Sequence, residues 1–180
     1  MKLICIPFQS PNFYLKPETA LLRNGRTFLI PDVCSRMSGS LAVVVRINRL
    51  GRHIAHRFAH RYYCDTALGF CLYAADILEQ NSAQGASWAP ACGLDYSAPL
   101  SDHFIPVSES NPLPDFCAWE QWAGNLNGSI DQAIAHVSCY IFLKMGDLIW
   151  LELHPPLPLC APADIHASRN GKVELWFSVR

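Results

Sequence analysis

Two long apolar runs constrain this 180-residue chain more than any other feature. Residues 41–47, LAVVVRI, form a β-branched stretch that reads as a strand buried on both faces rather than as the alternating face of an exposed sheet. Residues 62–74, YYCDTALGFCLYA, return to strand character soon afterwards. A sheet built on such strands must be covered on both sides, so the flanking segments have to supply the cover. The opening MKLICIPF alternates like a strand, and FYLKPETALL and TFLIPD read as short extended pieces around a turn at Arg23-Asn24-Gly25-Arg26. LKMGDLIWLEL gives a turn at Gly146-Asp147 and then a strand. The C-terminal DIHASRNGKVELWFSVR reads as a hairpin turning at Asn170-Gly171, a pair suited to the positive φ of a type I′ turn.

Helical spacing is confined to short pieces. Ile54, Ala55, Phe58 and Ala59 predict a short surface helix after Gly51, with the charged and histidine side chains on its other face. DILEQNSAQG predicts a helix with Asp76 as N-cap and Gly85 as stop. Ile134, Val137 and Ile141 support a third helix within residues 130–142. SWAPACGLDYSAPL reads as loop, SESNPLPDF as the most linker-like stretch, and PPLPLCAPAD, with prolines at four positions, excludes regular structure. The sum is an α+β chain, sheet-dominated with two or three short helices, expected as one domain over residues 1–180.

Composition narrows the partners. A net charge of −1 and 16% charged residues leave no basic face for nucleic acid, and no apolar run reaches the roughly 18 residues of a membrane span. The first residues do not form a signal peptide, so the expected compartment is the cytoplasm. The eight cysteines are scattered singly, without a C-x-x-C pair, which in a reducing compartment implies buried thiols.

Unaided motif reading yields no active site. His56 and His60 lie four residues apart, a spacing that can hold a metal, but no Glu-x-x-His accompanies them and a solvated polar face is the simpler reading. Asp76, Asp95, Asp147 and Asp164 read as cap or turn residues, no G-x-S-x-G elbow occurs, and Cys71 and Cys92 sit in apolar surroundings that suppress thiolate reactivity.

The order and spacing of FYLKPETALL, FLIPD, VVRINRLGRHIAHRFAHRYY, the Ala-Ala-Asp after the second strand, GLDYSAPL, LKMGDLIW and the terminal hairpin resemble the fumarylacetoacetate hydrolase family, in particular its short bacterial 2-hydroxyhepta-2,4-diene-1,7-dioate isomerase and acylpyruvase-like members. The resemblance spans nearly the whole chain. It implies a mixed β-roll that pairs as a homodimer, a small-molecule ligand, and one Mg²⁺ or Mn²⁺ held by a Glu-x-Glu and a strand aspartate for C–C hydrolysis, decarboxylation or isomerisation of 2-oxo and 2-hydroxy diacids.

Carried over residue by residue, the resemblance keeps the framework and loses the chemistry. The Glu-x-Glu falls on Ser40 and Ala42, or in a register two residues earlier on Ser38 and Ser40, and the third ligand falls on Cys71. The arginine and aspartate that follow that strand fall on Ala75 and Asp76, and the active-site lysine on Cys92. The Thr-Gly-Thr-Pro-x-Gly loop becomes Leu151-Glu152-Leu153-His154-Pro155-Pro156, and the lid segment after the first strand is largely missing. The expectation is therefore a family homologue without a metal cofactor, catalytically inactive or strongly altered, whose pocket would draw on Cys71, Cys92, Asp76 and Asp95. Two alternatives stand beside it: an enzyme with a thiol or soft-metal site at Cys71 and Cys92, and a regulatory or structural partner of an active relative.

Overall fold

The structure, a computed structural model, describes residues 1–107, 126–169 and 171–180, with 126–129 as helix backbone only. The two apolar runs pair with each other. β5 (Met37–Ile47) and β6 (Tyr63–Ala74) run antiparallel, with Ser40 opposite Cys71 and Ala42 opposite Gly69. On the other side of β5 lies β9 (Leu148–Glu152), antiparallel, which places Glu152 opposite Ala42. β1 (Leu3–Ile6) joins β9 in parallel, and β2 (Tyr14–Lys16) closes that edge. Beyond β6 come β7 (Ala98–Leu100) and β3 (Leu21–Arg23), giving the order β2-β1-β9-β5-β6-β7-β3. The short β8 (Ile105–Pro106) pairs with β6. A second sheet is formed by β4 (Thr27–Phe28), β11 (Ala163–Arg169) and β12 (Lys172–Val179) in the order β11-β12-β4.

Alternation along the central strands divides the interior in two. Leu41, Val43, Val45 and Ile47 of β5 join Leu68, Phe70 and Leu72 of β6 on one face. There they meet Ile130, Ile134 and Val137 of α3 (Leu126–Tyr140) and Leu175, Phe177 and Val179 of β12. Ala42 and Val44 point to the opposite face, with Ala67, Cys71 and Tyr73, Leu3 and Cys5 of β1, and Trp150 of β9. Period-two alternation puts neighbours on opposite faces, so both faces of these strands are covered, as the continuous apolar runs require. Gly69 is the place where this packing tolerates no side chain: a Cβ there would overlap the Trp150 ring and lie 2.6 Å from Val44 Cγ2.

The α+β class and the sheet-dominated roll hold, and several local expectations change. The helix after Gly51 is a 3₁₀ segment, His56–Arg61, in which His56 and His60 are both exposed; at three residues per turn, positions four apart do not share a face. α1 (Ala75–Ala83) starts two residues earlier than the cap reading allows, with Ala74 at the N-cap and Asp76 inside the first turn, where its carboxylate binds Ser35 instead. Gly85, at φ 65°, does follow the helix end. The segment read as loop holds α2 (Ala89–Cys92) as well as β7. The proline-rich PPLPLCAPAD contributes β10 (Leu157–Leu159), antiparallel to the start of β5 with Pro158 opposite Ser38, an edge position where the missing N–H is tolerated. The third helix runs Leu126–Tyr140, shifted toward the N-terminus of its expected span. SESNPLPDF and Asn170 lie outside the described residues; Gly171 has φ 73°, as the turn requires. No helix among the described residues is long and apolar enough to cross a membrane.

Candidate functional site

The inner face of the β2-β1-β9-β5-β6 sheet holds several buried polar groups. Alternation along the three-residue β2 sends Tyr14 and Lys16 to the same side, and both reach inward. Lys16 is 3% exposed, and its ammonium meets Leu72 O at 2.7 Å, Cys92 O at 2.5 Å and Ser97 Oγ at 2.7 Å. Three donors meet three acceptors, which is what a buried ammonium needs to offset its lost hydration. Glu152 ends β9 at 6% exposure, and the Tyr14 hydroxyl donates to its Oε1 at 2.9 Å.

Burial raises the pKa of Glu152 from 4.5 to about 7, against the opposing pull of the Tyr14 hydrogen bond, the Lys16 charge, the Phe8 N–H and the Cys71 thiol. A carboxyl in so dry a place favours its neutral form. Burial pushes Tyr14 up as well, helped by Cys71, Cys5 and Glu152, and lifts Tyr73 for the same first reason. Cys71 is raised by burial and by its hydrogen bond with Cys5, and Cys92 is pushed up to about 12 by burial although Lys16 pulls it down.

The positions that the resemblance assigns to a metal converge on this face, but their side chains do not form a hard-cation site. Ser40 donates its hydroxyl to His154 O at 2.7 Å, Ala42 offers a methyl group, and Cys71 is a fully buried, protonated thiol. The earlier register adds only the Ser38 hydroxyl. Mg²⁺ and Mn²⁺ take anionic or carbonyl oxygens in near-octahedral sets, and this donor set supplies none of the carboxylates. Among the described residues, no group of three His, Cys, Asp or Glu is placed to hold a metal ion. His154 is fixed to this strand: its Nε2 accepts the Leu41 N–H at 2.9 Å, which leaves Nδ1 to donate to Pro155 O at 2.6 Å.

Of the other residues expected in a pocket, Cys92 joins Cys71 and the two aspartates do not. Cys92 lies in the same buried cluster as Cys71, but its carbonyl is engaged by Lys16. Asp76 sits at the surface end of α1, where Ser35 Oγ and N–H, each at 2.6 Å, pull its carboxyl down to about 2. Asp95 is exposed and accepts the Thr19 hydroxyl at 2.5 Å, and Ala75 begins α1. The groups that sequence reasoning missed are Tyr14, Lys16 and Glu152. The legible signals were the i, i+2 spacing of Tyr14 and Lys16 and the lone acid within the otherwise apolar LIWLEL.

Two cavities adjoin the sheet. One of about 340 Å³ lies between the loop after β1 and α3, lined among others by Phe8, Gln9, Ser10, Gln132, His136 and Glu152. The other, of about 740 Å³, lies beneath β10 and is lined by Arg36, Ser38, Tyr73, Glu79 and Cys160 among others.

No family model matches the chain. Individual relatives do. The mitochondrial oxaloacetate tautomerase FAHD1 of Mus musculus is 28% identical, over 94% of this chain and 81% of its own length. The mitochondrial oxaloacetate tautomerase FAHD2 of Arabidopsis thaliana is 24% identical over 95% and 80%. Among solved structures, the fumarylpyruvate hydrolase of Pseudomonas aeruginosa, in complex with Mn²⁺ and pyruvate, superposes with a TM-score of 0.83 at 16% identity, covering 99% of this chain and 89% of that one. The 5-carboxymethyl-2-hydroxymuconate delta-isomerase of Mycobacterium smegmatis gives 0.77 at 17% identity, covering 99% and 78%. The chain thus has the fold of these hydrolases and isomerases and is similar to the two tautomerases along nearly its full length.

Proposed function

We propose that this chain is a member of the fumarylacetoacetate hydrolase family that does not run metal-dependent hydrolase, isomerase or tautomerase chemistry. The observation that supports it is the donor set on the inner face: a hydroxyl committed to a backbone carbonyl, a methyl and a protonated thiol at Ser40, Ala42 and Cys71. A dehydrated divalent ion there would lack compensating charge, and each missing carboxylate costs it several kcal/mol of coordination. Cys92 at the lysine position removes a further cationic group, and Lys16 is held by three acceptors of its own. The retained framework and the two cavities leave a small-molecule binder. Exposed Phe58, Tyr140, Phe142 and Met145, around the end of α3 and the 3₁₀ segment packed on it, support pairing with a second copy, which light scattering on the purified protein reads directly.

The deciding experiment titrates the purified protein with MgCl₂ and MnCl₂ by calorimetry, then follows the enol absorbance of oxaloacetate and of an acylpyruvate with and without either ion. The expected result is no saturable ion binding and no metal-dependent turnover. One tightly bound ion per chain together with ion-dependent loss of the enol signal overturns the reading.

A further inference from the structure

The net charge of −1 conceals one strongly basic face. Residues 48–64 and 132–146 hold none of the chain's 15 acidic side chains, yet they carry Arg49, Arg52, Arg57, Arg61 and Lys144, all exposed. Among the described residues none of these five joins an ion pair. Folding sets the two stretches side by side. The Asn48 N–H donates to Tyr62 O at 2.9 Å and closes residues 49–61 into a compact loop, while Gly51 and Leu143 form an antiparallel bridge with N···O distances of 3.0 and 2.8 Å. Gly51 and Leu143 are buried, so alternation turns their neighbours Leu50, Arg52, Phe142 and Lys144 outward, and all four are exposed. The His53 N–H to Ser138 O and the Ile54 N–H to Ser138 Oγ, each at 2.9 Å, fix the same loop to α3.

We propose that this face docks on the surface of a bilayer containing anionic phospholipid, with the arginines and Lys144 on headgroup phosphates and Leu50, Phe142 and Met145 entering the acyl boundary. Charge complementarity selects an anionic occupant, and five cations fall within the roughly four to eight that hold a segment to anionic lipid. The apolar neighbours select lipid among anions. Leu50 is 59% exposed, Phe142 45% and Met145 69%, which costs hydration in water and is repaid in hydrocarbon. Single-stranded nucleic acid needs open aromatic faces for its bases; leucine and methionine have none, and the Phe58 ring is already engaged by the Arg57 and Arg61 guanidiniums, 4.7 and 5.0 Å from its centroid. A second copy of the chain would set these cations against their own kind across a two-fold axis. Pairing through the end of α3 therefore competes with the bilayer for this face. Docking is peripheral, and it stands apart from whatever chemistry the inner sheet face performs.

The test is cosedimentation of the purified full chain with vesicles of phosphatidylcholine alone and of phosphatidylcholine containing one third phosphatidylserine, at low and at high salt. The expected result is saturable binding to the anionic vesicles only, released by salt as screening shortens the reach of the charges. Each cation removed should weaken binding about fivefold, so Arg49→Gln/Arg52→Gln should bind about 25-fold more weakly. Met145→Ser should weaken binding and keep its salt dependence. All three positions are exposed, and thermal melts establish that the variants fold. Equal binding to vesicles without phosphatidylserine overturns the proposal, as does undiminished binding by the folded double variant; the salt and lipid dependence of the wild-type protein decides if that variant does not fold. Unchanged affinity in Met145→Ser overturns the insertion of the apolar side chains. A labelled oligouridylate is the second probe: its binding without any vesicle binding assigns the face to nucleic acid and overturns the proposal. Absence of both, with a dimer in light scattering, assigns it to a second copy and overturns it equally.

Discussion

Replacing Glu152 by Gln should change how stability depends on pH, by an amount the structure fixes. The carboxyl is 6% exposed, and burial takes its pKa from 4.5 to about 7. Because the folded-state value is raised, the stabilising contribution is fully present below pH 4.5, where folded and unfolded chains are both protonated, and is lost as pH rises through about 7. In between, the folded chain holds a proton that the unfolded chain has released. At about 1.4 kcal/mol per pH unit, the gap amounts to about 3 kcal/mol of stability that the wild-type protein loses between acid and mildly basic conditions. Glutamine fills nearly the same volume, still accepts from Tyr14 through its carbonyl oxygen, and never ionises. Glu152→Gln should therefore gain about 3 kcal/mol on the wild type between pH 4.5 and pH 8, whatever its stability at the acid end. Urea unfolding followed by the fluorescence of buried Trp150 and its fellow tryptophans gives both values, and the other titrating groups cancel in the difference. Equal differences at the two pH values, with equal m, would refute the claim that Glu152 is held neutral by its surroundings.

Other consequences follow from the same packing. Lys16→Met should cost about 3 kcal/mol or more, since Leu72 O, Cys92 O and Ser97 Oγ lose a charged donor in a dry interior; the urea midpoint reads it. Gly69→Ala should cost about 2 kcal/mol or more, because its Cβ meets Trp150 and Val44, both 0% exposed, on an inflexible central strand; a thermal melt measures the loss. Iodoacetamide at pH 8 should modify the exposed Cys64, Cys139 and Cys160 and spare Cys71 and Cys92 until urea is added, since burial keeps the last two protonated and covered. Peptide mass spectrometry after timed quenching separates the two groups, and modification of Cys71 at the rate of Cys64 would contradict the burial argument.

The fold was legible where apolar pattern and strand geometry agree. Residues 41–47 and 62–74 lie within β5 and β6 because continuous β-branched and apolar runs have few homes except a strand covered on both faces. Signals that depend on one residue were weaker. Asp76 resembled an N-cap, yet the residue whose backbone opens α1 is Ala74, and the Asp76 side chain serves Ser35 across the chain. Pro158 seemed to forbid a strand, but only the unpaired side of an edge strand loses a donor. At the site, the Ser40–Cys71 pairing joins two positions that the resemblance singles out. The polar groups there could not be read from the sequence, because Tyr14 and Lys16 are far from Glu152 in sequence and meet it only through the β2-β1-β9 pairing.

That pairing suggests why the inner face remains polar at all. Three carboxylates around a divalent cation leave a net charge of about −1, whereas three neutral side chains would leave an uncharged, partly hydrated gap among buried strands. Here β9 supplies a carboxyl directly opposite Ala42, and β2 supplies a phenol that bonds it and an ammonium that satisfies three acceptors. Every one of these groups has a partner within 3 Å, which offsets the cost of burying it. A carboxyl kept near neutrality is the only member whose charge changes under ordinary conditions, and it is also the member that borders a cavity. If Glu152 only filled space, glutamine would serve as well at every pH. The acid there makes the face respond to pH, which is the property that the stability measurement reads.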